Sequence, residues 1–372
     1  MLHIGVTGQN GFIGYHLSQR IRLEPDKYTL IEFKSDFFEN EDLLFQFVEK
    51  CDIIVHLAAV NRNPDPEYIY TTNINLVKSL VRCLNRKETT THVVFSSSYQ
   101  EDFDNEYGRS KKEGRELFIE WAELKNGIFT GLVIPNVFGP FSKPFHNSFI
   151  ATFSQAIIDD NQSINHNSNE VQLIFIDDLV SEVFKVIHSK KSSYVLKIPY
   201  TDVKKVDEVY GLLIEYRDLY LQHGIIPVFN NKFELNLFNT FRSYINYETH
   251  FPREYQKHED QRGCFIELIR TNTSGQSSYS STNAGITRGN HFHTRKIERF
   301  SVIKGEATIE MRKIGSNKSM LFHLSGSKPS YVDIPVWYTH NITNIGTEEL
   351  LTAFWINEPY NPVDADTYFE TV

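Results

Sequence analysis

Two histidines one residue apart and a glutamate five residues on, His291, His293 and Glu298, stand in GNHFHTRKIERFSVIKG, between Gly289 and Gly305. Side chains at i and i+2 of a β-strand share a face, so the two imidazoles project together while Glu298 returns on the adjoining strand. His340, in PVWYTHNITN, offers a fourth ligand from a distant strand. Three imidazoles and a carboxylate suit zinc or another divalent transition metal, with no thiolate nearby to compete.

A second constellation lies at the other end of the chain. Gly8, Gly11 and Gly14 are spaced GxxGxxG in MLHIGVTGQNGFIG, directly after an apolar strand and before a helical pattern. Such a turn lets backbone N–H groups and a helix N-terminus approach a pyrophosphate. Tyr107 and Lys111, in EYGRSKKEG, sit four apart and share a helix face. An ammonium beside a phenol favours the phenolate, so the pair can exchange a proton with a substrate oxygen. Ser98 ends the FSSS run and can hydrogen-bond the same oxygen, with Ser97 the alternative. After the second strand, Lys34 can pair with a ribose 2′-phosphate, which favours NADP(H), whereas Glu32 or Asp36 would bond a free 2′-hydroxyl and leave NAD(H) open.

The elements that must carry these residues follow from the apolar pattern. HIGVTG, YTLIEF, CDIIVHLAA, HVVFSSS and FTGLVIP alternate with helical stretches, which predicts a parallel sheet covered by helices. The pattern loosens through KPFHNS and DDNQSINHNSNE, where a substrate-facing lobe is expected, and a strand and helix follow in QLIFIDDLVSEVFKVI. Beyond His258 the texture changes to short alternating strands, as in GCFIELIRT, ERFSVIKGEATIEMRKI, YVDIPVW and ELLTAFWINE, which reads as an all-β sandwich or small barrel. The polar, proline-interrupted THFPREYQKHED sets the expected boundary, giving domains at 1–247 and 248–372.

With 372 residues, the chain is long enough for two cores. Its net charge of −9 and lack of a basic run argue against nucleic acid or an anionic membrane as partner. The apolar runs are far shorter than the ~20 residues a bilayer needs. Cys51, Cys83 and Cys264 are too scattered for a disulfide framework. A first strand beginning by Leu2 leaves no room for a signal peptide, so a cytoplasmic protein is expected.

Taken in order, TGQNGFIG, DIIVHLAA, SSS, YGRSK, NVFGP and FIDDL resemble the extended short-chain dehydrogenase/reductase family. That resemblance implies nicotinamide chemistry on a nucleotide sugar, with Ser98, Tyr107 and Lys111 catalytic. It also implies cofactor contacts at Gly8, Gly11, Phe12, Ile13, Gly14, Lys34, Leu57, Ala58, Ala59, Tyr107 and Lys111, with Asn73 positioning and Asn136 a contact. Val133 stands where many relatives carry arginine. Gly285, His291, His293, Glu298 and Gly305 resemble the first cupin motif. Pro335, His340 and Asn344 resemble the second, although Trp337 and Pro329 occupy positions where glycine is usual.

DQRGCFIE is similar to the opening of nucleotide-sugar 3,5-epimerase cupins. NEPYNPVDADTYFE, with the domain order, resembles capsular-polysaccharide enzymes of the CapF type, on the route to UDP-N-acetyl-L-fucosamine. The fold implied is an α/β Rossmann-type domain followed by an all-β cupin. A bifunctional enzyme follows: C3 epimerisation of a UDP-4-keto-6-deoxy-N-acetylhexosamine by the cupin, then NADPH-dependent reduction at C4. The alternative is a reductase whose cupin is a metal-stabilised dimerisation module. Lys296, His323 and Tyr338 are the polar candidates for a cupin base. A homodimer or higher homo-oligomer is expected, because both domain types commonly self-associate.

Overall fold

The computed structural model describes residues 1–161, 168–255, 257–260, 263–266, 268, 275–358 and 361–372. Part of DDNQSINHNSNE (162–167), residues 261, 262 and 267 of DQRGCFIE, and residues 359 and 360 of the C-terminal text lie outside them. The chain divides into two compact units, Met1–Thr152 with His166–Glu208, and Phe153–Asn165 with Val209–Val372.

In the first unit, β1 (Leu2–Thr7), β2 (Tyr28–Ile31), β3 (Ile53–His56), β4 (His92–Ser98), β5 (Ile128–Ile134) and β8 (Ser193–Lys197) form a parallel sheet of order β2-β1-β3-β4-β5-β8. Ile4, Val6, Ile53, Ile54, Val55, Val93 and Val94 are buried, as near-continuous apolar strands covered by helices must be. Helix α1 (Phe12–Arg22) packs with α6 (Ile176–Ser189), and α3 (Pro66–Arg86) contacts both α2 (Glu41–Lys50) and α4 (Glu106–Lys125). Phe47, Val77, Leu80, Phe95, Phe118, Trp121 and Phe129 belong to one core beneath α2, α3 and α4. A small sheet joins β6 (Asn136–Phe138), β7 (Glu170–Phe175) and β9 (Asp202–Lys205).

Two antiparallel five-stranded sheets build the second unit, the arrangement expected of a cupin. One has β10 (Arg253–Glu254), β18 (Ser330–Ile334), β15 (Glu298–Lys304), β20 (Leu350–Ile356) and β13 (Gln276–Thr282) in that order. The other has β17 (Ser319–Ser325), β16 (Glu306–Lys313), β19 (Tyr338–Asn344), β14 (Thr287–Phe292) and β21 (Tyr368–Phe369). A separate hairpin pairs β11 (Lys257–Asp260) with β12 (Gly263–Ile266).

Helices α8 (Lys232–Arg242) and α9 (Tyr247–His250) belong to this unit, and α8 ends in a buried polar knot. Arg299 donates to both oxygens of Asp333 at 2.8 and 3.0 Å, the Tyr220 hydroxyl donates to the same carboxylate at 2.5 Å, and Arg242 donates to the Ile334 carbonyl at 3.1 Å. Removing one partner from a buried pair of this kind costs about 3–5 kcal/mol, so β15 and β18 are tied through charge, with α8 joined to β18 by the Arg242 bond.

Candidate functional site

The glycine turn after β1 is shaped by contacts no side chain could share. Gly8 has φ +74°, and a Cβ on Gly14 would stand 2.1 Å from the Gly8 carbonyl oxygen and 2.8 Å from the Gln9 Cα. The turn thereby closes onto α1, whose N-cap, Gly11, offers no side chain and whose first turn holds no acidic residue. Its free N–H groups face a cavity of about 630 Å³, a volume suited to a dinucleotide with part of a substrate.

That cavity gathers most of the sequence-predicted residues: Gly8, Gly11, Phe12, Ile13, Gly14, Leu57, Ala59, Ser97, Ser98, Tyr107, Lys111 and Asn136 all line it. Ala58, expected as a cofactor contact, is not among the lining residues. Thr7 Oγ1 accepts from the Leu57 and Ala58 amides at 3.2 Å each and lies 2.7 Å from His56 Nδ1, which binds the β3 loop to the glycine turn. Lys34 is not in the wall; it sits exposed beyond β2, with Nζ 3.9 Å from Glu32. Asn61, Gln100, Lys143, His146, Asn147 and Ser148 also line the cavity, and sequence reasoning missed them because they come from irregular segments without a fixed spacing.

The catalytic candidates meet at the C-terminal end of β4. Lys111 is buried, with Nζ 3.5 Å from Ser96 Oγ, 4.8 Å from the Phe95 ring centre and 5.7 Å from that of Tyr107. Burial pulls its ammonium down to about 7, against a smaller upward pull from Glu101. Burial pushes the Tyr107 phenol up to about 12, so it holds its proton at neutral pH in this state. The serine ambiguity acquires a physical distinction. Ser97 donates its hydroxyl to Glu101, whose carboxylate is also gripped by Arg115 from α4 at 2.7 to 3.2 Å. Ser98 Oγ accepts only a local 3.2 Å bond from the Gln100 amide, leaving its proton for the cavity. Asn73 bonds both polar groups of Val60, at 2.7 and 2.8 Å, and thus fixes the loop after Ala59.

In the second unit, His291, His293, Glu298 and His340 bring one ligand atom each within 4.8 Å of the others. Register explains the convergence. His291 on β14 lies opposite His340 on β19, and Glu298 opens β15 in the facing sheet. Asn290, with φ +60°, sits in the β14 irregularity between Gly289 and His291. Glu298 Oε2 lies 3.0 Å from His293 Nε2 and 3.2 Å from His340 Nε2, yet all three atoms are buried without a hydrogen bond of proper angle. Burial pulls His291 down to about 4. Burial raises Glu298, but the two imidazoles win and leave it well below the usual carboxylate range. Burial lowers His293 too, but its contact with Glu298 wins and raises it, so a metal bound there would displace a proton; the orphaned atoms aimed at one point fit a divalent cation.

Beside the cluster is a cavity of about 240 Å³, lined by Ser280, Arg288, Phe300, Asn341 and Phe354 among others. None of the three base candidates lines it. Lys296 Nζ donates to the Ala365 carbonyl at 2.6 Å, His323 is exposed on β17, and Tyr338 stacks with Tyr247. Trp337 holds φ +63°, the left-handed conformation that glycine favours, and is kept there by burial and a 2.7 Å bond from its amide to the His293 carbonyl.

No described helix is long and apolar enough to cross a membrane. Residues 4–197 match the NAD dependent epimerase/dehydratase family, and residues 258–368 match the polysaccharide biosynthesis C-terminal domain. Over 370 residues, 98% of this chain and 97% of the relative, the protein is 33% identical to UDP-2-acetamido-2,6-beta-L-arabino-hexul-4-ose reductase of Pseudomonas aeruginosa. Among solved structures, the capsular polysaccharide assembling protein CapF from Staphylococcus aureus matches with 32% identity and a TM-score of 0.63, covering 100% of both chains. RMD from Pseudomonas aeruginosa, complexed with NADPH, shares the fold at 18% identity and a TM-score of 0.52, over 59% of this chain and 83% of its own. The chain therefore belongs to the CapF-type capsular polysaccharide enzymes, joining an NAD dependent epimerase/dehydratase family domain to a polysaccharide biosynthesis C-terminal domain.

Proposed function

We propose that the protein epimerises C3 of a UDP-4-keto-6-deoxy-N-acetylhexosamine in its C-terminal part, 248–372, and reduces the C4 ketone with NADPH in its N-terminal part, 1–247. The observation that carries the reductive half is the single cavity bringing Ser98, Tyr107 and Lys111 to the glycine turn. The name of the Pseudomonas relative supports a 4-keto nucleotide sugar as substrate. The nicotinamide supplies the hydride. Tyr107 gives its proton to O4 as the carbonyl becomes an alcohol, and Ser98 orients that oxygen through its hydroxyl. The phenolate left on Tyr107 is then stabilised by the Lys111 ammonium.

For the epimerising half, His291, His293, Glu298 and His340 would hold zinc or a related divalent cation, which supplies Lewis-acid polarisation of the ketone. Phe300 and Phe354 offer apolar faces to a sugar ring, and Arg288 and Asn341 offer donors to its oxygens. One observation favours a second reading, in which the cupin only stabilises a dimer. Four protein ligands can close a tetrahedral site, and Lys296, His323 and Tyr338 all lie outside the cavity. A cytoplasmic homo-oligomer suits both readings, with Cys51 and Cys83 buried as free thiols.

The test is NMR of the product formed from candidate UDP-4-keto sugars and NADPH in deuterated water. Deuterium at C3 with inverted configuration supports the bifunctional reading. A reduced product with protium and the original configuration at C3 leaves only the reductase.

A further inference from the structure

The last residues of the chain return to the metal cluster. Strand β21 adds to β14, with Phe369 opposite His291 and Tyr368 opposite Phe292. Just before it, Asp366 is buried with φ +42°, a left-handed backbone that aspartate adopts more readily than most residues. Its Oδ1 accepts from the Thr294 amide at 3.0 Å and hydroxyl at 2.6 Å, and its Oδ2 accepts from the Arg295 and Lys296 amides at 3.0 and 3.2 Å. The carboxylate thus organises the turn that follows His293. Its own carbonyl accepts from His293 Nδ1. Lys296 donates to the neighbouring Ala365 carbonyl, and Arg295 reaches the Asp364 carboxylate at 2.8 Å, so the two residues just before Asp366 are held as well.

We propose that Asp366 is a positioning residue for the metal site: its carbonyl fixes the Nδ1–H tautomer of His293, and its carboxylate fixes the turn from which that imidazole projects. A neutral imidazole that gives its Nδ1 proton to a carbonyl has its lone pair on Nε2, and here Nε2 is one of the orphaned atoms facing Glu298. The C-terminal strap therefore belongs to the metal site although it contributes no ligand. The inference rests on the reading of the four-residue cluster as a metal site.

The experiment compares full-length wild type, Asp366→Ala and Asp366→Asn. Zinc affinity is measured by competition with a chromophoric chelator, and Co²⁺ is used to record the visible ligand-field bands. Asp366→Ala should raise the zinc dissociation constant about 10- to 100-fold and alter the Co²⁺ bands. Asp366→Asn tolerates the left-handed backbone and retains an acceptor for Thr294, so it should recover much of the affinity. Should Asp366→Ala fail to fold, the smaller change in Asp366→Asn, and a lesser one in Thr294→Val, must still appear. Wild-type affinity and unaltered Co²⁺ bands in folded Asp366 variants would overturn the inference alone. A wild-type protein that takes up neither metal would overturn the metal reading and this inference with it.

Discussion

Lys111→Met should make the cofactor-free protein more stable while abolishing reduction. Lys111 is 2% exposed, and its Nζ has one 3.5 Å bond, to Ser96, to replace the water it gave up. The titratable groups around it are His56, itself pulled to about 3 by burial, Tyr107, and Glu101, whose charge is largely engaged by Arg115. Holding the ammonium near 7 against an ordinary 10.5 corresponds to a cost on the order of 5 kcal/mol below pH 7. Loss of the contact with the Phe95 face and imperfect packing of methionine offset part of the gain. About 2 kcal/mol of net stabilisation should remain, or roughly 4–8 °C in melting temperature for a unit of this size. Because the folded value lies below the unfolded one, the cost is complete below pH 7, declines as pH rises toward 10.5, and vanishes beyond it. The melting-temperature gap between variant and wild type should therefore be widest near pH 6.5 and close or slightly reverse by pH 9, where about 2 kcal/mol of the cost is left. Thermal melts across that range, with NADPH oxidation measured in parallel, test it. A variant that melts at or below wild type at pH 6.5, or a gap that stays constant to pH 9, would refute the reasoning.

Tyr107→Phe should reduce NADPH consumption at least ~100-fold with nearly unchanged cofactor affinity, because the phenol supplies a proton and little binding; turnover like wild type would remove Tyr107 from the mechanism. Lys34→Glu should weaken NADPH several-fold more than NADH in fluorescence titrations, since an exposed charge contributes on the order of 1 kcal/mol toward a 2′-phosphate; equal losses would leave Lys34 as ordinary surface. His340→Gln should lower metal content and abolish deuterium uptake at C3 while reduction continues, yielding a product whose ring couplings report the unepimerised sugar. Unchanged C3 exchange in a folded, metal-free variant would count against a catalytic metal.

What the sequence disclosed is what short-range periodicity encodes. Gly8, Gly11 and Gly14 are confined by the backbone contacts of one turn, and Tyr107 and Lys111 by one helical turn, so their spacing carried the geometry; Glu298 was expected on the strand adjoining His291 but stands on the facing sheet, reached by the short connection after His293. His340 was legible because its own motif surrounds it. Partners far apart in sequence left no such trace: Asp366 meets Thr294 across 72 residues, and Thr7 meets His56 across 49. Glu101 and Arg115 are separated by 14 residues in a polar stretch that reads as solvated surface, yet they form a nearly buried pair that meets Ser97 of β4. Trp337 shows the reverse case, where the usual glycine is missing and the left-handed backbone persists because burial and one hydrogen bond hold it.

Under the proposed reading, chemistry alone orders the two steps. The hydrogen on C3 is removable only while C4 is a ketone, since the carbanion must delocalise onto that oxygen. Once hydride and the Tyr107 proton have been added, the activation is gone and the configuration at C3 is permanent. Epimerisation must therefore precede reduction on every productive molecule, and a keto sugar reduced early becomes an unepimerised product. The ratio of the two products thus measures a competition between exchange at C3 and reduction at C4. Slowing reduction, as by lowering NADPH, should raise the epimerised share, whereas slowing exchange through His340→Gln should lower it. Opposite responses to these two perturbations require distinct chemical steps acting on one keto sugar, whereas a ratio indifferent to both would leave the cupin without a part in the reaction.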